Sequence, residues 1–417
     1  MLKVIELFAG IGAQHRALQK ANIDHEVIAI SEIDKYAIQT YNAIHGETPN
    51  LGDITKIERL PKADLWTYSF PCTDISLAGR MSGFAKDSGT NSSLLWEVQR
   101  LLNTAEGDGT LPKYLLMENV KNLVSKKFKP LFDEWCAFLE GLGYKNFYKV
   151  LNAKDYGIPQ NRERIFMVSI RDDDALYQFP SKINLDTKLG DYLENNVDEK
   201  YYLSSKLIDC FTDMKNRNGL FRGLQFTPKY AVRDKIARTI TTKAGTRPCD
   251  NYIVEPVITV DGKVIVPQAT KDGYAIAEVG DGIYTNRCIS KRGVVQKDKI
   301  PTLKTSPNEI GVVVVKDTEN YIQWEKEGFF DIECRAYKED KISGALNTRG
   351  HMKVLTNDVA IRRLTPLECF RLMGFEDEDY LKIKELHISD TQAYKMAGNS
   401  IVVNCLTEIF KKLKEII

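Results

Sequence analysis

The chain has 417 residues, 43% hydrophobic and 28% charged, enough for two or three domains with cores of their own, which excludes disordered and fibrous classes. Lys and Arg number 58 against 57 Asp and Glu, a balance that neither announces a polyanionic partner nor excludes one, because a phosphate-binding face depends on where basic residues lie. The eight cysteines (Cys72, Cys136, Cys210, Cys249, Cys288, Cys334, Cys369 and Cys405) form no CxxC pair and there are five histidines, which excludes a zinc site of ordinary spacing. With no leader-like amino terminus and no apolar run of spanning length, a soluble, cytoplasmic protein with free thiols and no membrane partner is expected.

Residues 3–8 form a short apolar strand and residues 14–21 the helix after it. Between them, Phe8-Ala9-Gly10-Ile11-Gly12 allows a tight turn over which a ligand can approach the backbone, although a plain turn explains the glycines equally well. The second strand, residues 26–30, ends in Ser31-Glu32-Ile33-Asp34. A carboxylate at that tip can accept from both hydroxyls of a ribose, whereas Asp34 is better read as the cap of the helix that begins near Lys35. Asp53, before Ile54, is a further loop acid near a strand end.

The next strand, residues 65–70, stops at Pro71-Cys72. A lone cysteine is most often buried and inert. This one sits at a strand end, before Thr73-Asp74-Ile75-Ser76 and a Gly-, Ser-, Lys- and Arg-rich segment at 78–91 that could close as a lid, which suits a nucleophile. A strand at 114–117 delivers Glu118 to the same crevice if it lies beside the one carrying Cys72. Lys121, Lys126, Lys127 and Lys129 follow, placed for phosphates or simply forming a solvated face. Arg162 and Arg164 alternate with Glu163 in an extended segment and so share one side of it; an edge-strand ion-pair pattern is the alternative. The alternation of strand and helix predicts an open, mostly parallel α/β sheet with its ligand across the carboxyl ends of the strands.

From about residue 180 the rhythm fades into short Val/Ile runs broken by Gly, Asp and Asn, which predicts a smaller, mixed, strand-containing domain over 181–356 between parts at 1–180 and 357–417. Within it the segments 237–243 and 300–306 echo one another, as an internal repeat or as mere β propensity. Lys291, Arg292, Lys297, Lys299 and Lys304 form the clearest basic stretch, able to follow a phosphate backbone or to belong to a solvated hairpin. At the carboxyl end Val402, Leu406, Ile409, Leu413 and Ile416 share one helical face, predicted to pack back on the first domain.

FAGIG at 8–12, PCTDIS at 71–76, MENV at 117–120, QNRERIF at 160–166, RRLTPLECFRLMGF at 362–375 and AGNSI at 397–401, in that order, resemble the motifs of the DNA cytosine-5 methyltransferases of bacterial and phage type. The resemblance implies a Rossmann-like, S-adenosylmethionine-dependent catalytic domain with a target-recognition domain at 181–356, and double-stranded DNA as partner. A monomer and a separate cognate restriction endonuclease are both compatible with it. It implies that Phe8, Gly10 and Gly12 line S-adenosylmethionine, Glu32 binds its ribose, Ile33 packs on adenine, Asp53 and Ile54 meet adenine's polar edge, and Asn399 ties the last helix back near the cofactor. It makes Cys72 the nucleophile and Glu118 the acid, with Arg162 and Arg164 orienting the base or the glutamate. Ser76, Gln160 and the pair Thr302-Leu303 would meet the substrate, the pair being preferred to Thr239-Ile240 because it lies closer to LTPLE. Three positions depart from the pattern: Thr73 stands where glutamine is usual, Asn161 where arginine is common and Ile401 where valine is usual.

The implied chemistry is addition of a thiolate to carbon 6 of a flipped-out cytosine while Glu118 places or shares a proton at N3. Carbon 5 then acts as an enamine-like nucleophile toward the methyl group. Such a cysteine needs its thiolate favoured, which Arg162 or Arg164 is expected to provide.

Overall fold

The structure, a computed structural model, describes residues 1–76, 81–86, 88–194, 197–201, 237–242 and 360–417, with short strands between 252 and 337. The chain divides into two compact units: Met1–Glu194 with Arg233–Ala244 and Thr365–Ile417, and Asn195–Val232 with Gly245–Leu364. The first unit thus runs past residue 180 to Glu194 and takes in a piece of the middle of the chain.

Its centre is a six-stranded sheet in the order β2-β1-β3-β4-β7-β5, built from β1 (Leu2–Leu7), β2 (His25–Ser31), β3 (Leu65–Tyr68), β4 (Tyr114–Val120), β5 (Lys145–Asn152) and β7 (Glu163–Ile170). β1 pairs in parallel with β2 and β3, and β3 with β4, while β7 runs antiparallel to both β4 and β5. The sheet is therefore mostly parallel, as predicted. Every residue of β3 is buried, and β4 is buried up to Asn119, because a sheet covered on both faces needs apolar side chains on both sides of each strand. β5, at the edge, keeps Lys145, Tyr148 and Lys149 exposed, and charge there discourages pairing with another chain.

Helices α1 (Ala13–Lys20), α2 (Lys35–His45), α3 (Leu95–Gly107) and α4 (Lys129–Gly141) follow the strands. Against α3 and α4 lies a core of large rings, with Trp96 and Trp135 edge-to-face at 6.3 Å between centroids and Tyr68 against Trp135 at 5.9 Å. The chain returns to this unit through α5 (Pro366–Arg371), α6 (Asp377–Glu385), α7 (Asp390–Asn399) and α8 (Val403–Lys414). On the predicted apolar face Leu406, Ile409 and Leu413 are buried, and so is Val402, which caps the helix. Ile416 lies beyond the helix end and is 38% exposed. Since β1 has β2 on one side and β3 on the other, the strand order reverses there, and the crevice beyond the carboxyl end of β1 is where such sheets bind ligands.

The second unit is described by its strands and by the short helix Glu199–Tyr201. β9 (Tyr252–Glu255) pairs antiparallel with β18 (Ala360–Arg363), β10 (Val264–Pro267) with β11 (Tyr274–Ala277), and β12 (Gly282–Tyr284) with both β13 (Val295–Gln296) and β14 (Ile310–Val312). β16 (Tyr321–Gln323) lies between β15 (Lys316–Asp317) and β17 (Arg335–Tyr337). Among the described residues no helix is long and apolar enough to cross a membrane.

Candidate active site

The loop after β1 turns through three left-handed residues, Phe8, Gly10 and Gly12, with φ of 58°, 57° and 77°. A left-handed phenylalanine is uncommon, and such conformations gather at ligand-binding turns. At Gly12 a Cβ would lie 2.4 Å from His45 Nε2, whereas at Gly10 it would meet open space. Gly12 is thus required for packing, and Gly10 leaves open the space that a side chain would fill, where a ligand can lie.

Glu32, just past β2, has its carboxylate fixed on both oxygens: Oε2 accepts from Gly10 N–H at 2.9 Å, and Oε1 from the N–H groups of Ile33 and Asp34, each at 2.8 Å. Asn50 holds the same residue from the other side, accepting Glu32 N–H at 3.1 Å and Gly52 N–H at 3.0 Å through Oδ1, and donating to Glu32 O at 3.0 Å through Nδ2. Nothing in the sequence pointed to Asn50. Asp34 caps α2 as expected, accepting from Tyr36 N–H at 2.9 Å, and also pairs with Lys395 at 2.6 Å.

Asp53 caps the short helix Ile54–Lys56, accepting from Thr55 N–H at 3.0 Å and from the Thr55 hydroxyl at 2.8 Å, and these donors hold its carboxyl below the usual range. Ile54 is buried, while Ile33 is 74% exposed with its apolar face unused. An open glycine, a fixed carboxylate and an exposed aliphatic side chain suit, in that order, the amino-acid tail, ribose and adenine of S-adenosylmethionine. Asn399 ends α7 at an exposed position.

The reactive end is set by strand register. Tyr68 of β3 pairs with Met117 of β4, so Ser69 and Glu118 are the next neighbours across the two strands. Glu118, 6% exposed, lies between Ser69, whose Oγ donates to Oε2 at 2.5 Å, and Arg164 of β7, whose Nε stands 3.2 Å from Oε1. Cys72 follows β3 as a half-buried free thiol. The backbone then turns sharply, with Cys72 O accepting from Ile75 N–H at 3.1 Å and Ser76 N–H at 2.8 Å. Burial pushes the Cys72 thiol up; Arg164 and Arg162 pull it down and Glu118 pushes it further up. The arginines act in the direction the sequence suggests, but burial outweighs them, so the expected net lowering is corrected to a rise.

The two arginines do different things. Arg162 is buried and turns toward backbone, donating through Nη1 to Ile240 O at 2.8 Å and through Nη2 to Gly398 O at 3.0 Å and Ser400 O at 2.6 Å. Burial brings its guanidinium down to about 9. Gln160 is fully buried, its amide donating to Leu372 O at 2.7 Å and accepting from Ile240 N–H at 3.0 Å. Both ends of that side chain are engaged within the protein.

The segment that these residues hold is the one the sequence ranked second. β8 (Ala237–Arg238) pairs with β6 (Gln160–Asn161), and Thr239 Oγ1 donates to Asn161 O at 2.8 Å. Thr302-Leu303 and the basic residues Lys291, Arg292, Lys297, Lys299 and Lys304 lie outside the described residues. Of the lysines after Glu118, Lys121 pairs with Glu163 at 3.0 Å, Lys127 donates to Met81 O at 2.8 Å and Lys129 pairs with Asp133. The proposed lid at 78–91 has a fixed point: Phe84 is buried with its ring 6.2 Å from both Phe70 and Phe128, and its carbonyl accepts from Trp96 Nε1–H at 2.7 Å.

The profile of the family described as C-5 cytosine-specific DNA methylase matches residues 2–415. The type II methyltransferase M2.ScrFI of Lactococcus lactis subsp. cremoris is 31% identical, over 99% of this chain and 99% of its own. The orphan methyltransferase M.SPRI of Bacillus phage SPR is 30% identical, over 99% of this chain and 97% of its own. In fold the chain is similar to the S. pombe Dnmt2 methyltransferase, with a TM-score of 0.55 at 19% identity over 100% of this chain and 99% of that one. With the family matched from end to end, the chain belongs to the C-5 cytosine-specific DNA methylases: it is an enzyme that transfers a methyl group from S-adenosylmethionine to carbon 5 of cytosine in DNA.

Proposed function

We propose that Cys72 is the nucleophile of this transfer, Glu118 its acid and Arg164 the residue that orients Glu118. The observation that carries the assignment is the Glu118 carboxyl held between Ser69 and Arg164 one strand away from the Cys72 thiol. The thiolate adds to carbon 6 as Glu118 gives a proton to N3, and carbon 5 gains the electron density to attack. Loss of the carbon 5 hydrogen and of the proton at N3 then expels Cys72 and restores the ring. S-adenosylmethionine supplies the methyl group, cradled by Phe8, Gly10 and Gly12, with Glu32 at its ribose and Ile33, Asp53 and Ile54 around its adenine, and Asn399 close by. Ser76 meets the target nucleotide.

Arg162 and Gln160 act at one remove: their bonds to Ile240 support a reading in which Thr239-Ile240, rather than Thr302-Leu303, meets the backbone of the flipped nucleotide. Target recognition falls to residues 181–356 outside the 233–244 segment. The relatives include a type II and an orphan methyltransferase, and the reading extends to a cytoplasmic monomer that can work beside a separate cognate restriction endonuclease.

Duplex DNA carrying 5-fluorocytosine tests the chemistry, because fluorine at carbon 5 cannot leave as a proton and the adduct persists. The wild-type protein with S-adenosylmethionine should form a denaturant-resistant complex and Cys72→Ser none. An adduct of normal yield on Cys72→Ser would overturn the assignment.

A further inference from the structure

We infer that Ser69 is a positioning residue for Glu118, holding its carboxyl in the orientation that serves cytosine N3. The inference rests on the assignment of Glu118 as the acid. Register makes Ser69 and Glu118 cross-strand neighbours, and Ser69 Oγ donates to Glu118 Oε2 at 2.5 Å while Arg164 Nε stands 3.2 Å from Oε1. Each carboxyl oxygen therefore has one partner from a different strand, and the plane of the group is fixed by two strands rather than by one side chain. The next residue pair repeats the tie, with Asn119 Nδ2 donating to Phe70 O at 2.9 Å.

The two partners are chemically unlike. A guanidinium only donates, so Arg164 can hold only an oxygen that accepts. A hydroxyl donates to a carboxylate and accepts from a carboxylic acid. Ser69 can therefore keep its grip on Oε2 in either protonation state, turning its O–H as the proton moves between Glu118 and N3, and neither gains nor loses a proton itself. Among the described residues, Arg162 between β6 and β7, Cys72 in the loop after β3 and Cys405 of α8 are further ionisable groups that interact electrostatically with Glu118. The Arg162 guanidinium is committed to three carbonyls, which leaves Ser69 as the partner of Glu118 that can both give and take a hydrogen bond.

Steady-state methylation of duplex DNA by the full chain tests this. Ser69→Ala should lower kcat about tenfold while leaving KM for S-adenosylmethionine within twofold, Ser69→Thr should restore most of kcat, and Ser69→Ala should cost nothing further in a Glu118→Gln background. A wild-type kcat for Ser69→Ala, or a Ser69→Thr protein no better than Ser69→Ala, would overturn the inference, as would a full additive loss in the double variant. If instead Glu118→Gln alone kept wild-type kcat, the assignment of Glu118 would fall first.

Discussion

The Cys72 thiol proposed to attack carbon 6 sits where burial disfavours its charged form, and Arg164 is the larger of the two cationic influences opposing that burial. In the free protein Cys72 should therefore resist alkylation. Followed by mass spectrometry of the Cys72 peptide, iodoacetamide labelling should be slower at pH 7.5 than that of an unfolded control, and should climb only above the ordinary thiol value of 9.0. Arg164→Gln removes a charge that favours the thiolate, so its labelling should need still higher pH; unchanged labelling would place the arginine's influence elsewhere. Cys72, Glu118 and Arg164 stood out in the sequence as candidates because each is a reactive or charged type beside an apolar strand segment, a position where packing alone would not ask for it, and the family resemblance gave them their roles. Ser69 and Asn50 did not, because a hydroxyl or an amide takes its role from register and from the backbone it meets, and Gln160 was named only through the family resemblance.

At the scale of elements, β1, α1 and α2 enclose a polar cluster beside the glycine loop that follows β1. Tyr41 donates to Glu6 Oε2 at 2.9 Å, His15 Nδ1 lies 3.1 Å from the Tyr41 hydroxyl, His15 stacks on His45 at 4.3 Å, and His45 Nε2 reaches Ile11 O at 3.2 Å. Burial raises the Glu6 carboxyl from 4.5 to about 8 and lowers His15 from 6.5 to about 4 and His45 to about 2. Between its two values Glu6 keeps a proton in the folded chain that the unfolded chain has released, so its contribution to stability is full below 4.5 and is lost as pH rises through about 8. The histidines work in the opposite sense: the unfolded chain binds their protons first, so stability falls as pH drops below 6.5. The two effects oppose each other in acid, and above 6.5 only that of Glu6 is left. Stability from urea unfolding should thus decline by about 1–2 kcal/mol between pH 6.5 and pH 8, and Glu6→Gln should flatten that decline. An equal slope in both proteins would remove Glu6 as its source. The strands and helices around the cluster were legible from apolar period, but Glu6 sits inside an apolar run and its partners come from two helices, so pattern alone could not find it.

At the scale of the whole molecule, the catalytic unit is assembled from three separate stretches of chain. The return from the carboxyl end follows from α8, whose apolar face needs a surface to cover, and the sequence shows that face plainly. The middle stretch offers no such sign: β8 is two residues long, too short for any period, and Thr239-Ile240 fitted the family pattern less well than its echo at Thr302-Leu303. What fixes it is close backbone approach. A Cβ added to Gly398 would fall 2.3 Å from Thr242 N and 2.4 Å from Thr241 C, atoms of a main chain already tied to Arg162 and Gln160 through Ile240. Gly398→Ala must therefore push two stretches of backbone apart, at a cost of about 1–3 kcal/mol as for other overpacked sites. The neighbouring Asn399→Ala, at an exposed position, should be nearly neutral in the same unfolding measurement. If the 239–242 segment serves the target nucleotide, Gly398→Ala should also weaken binding of duplex DNA under conditions where the protein is still folded. A Gly398→Ala protein as stable as wild type would show that the segment is not seated against α7.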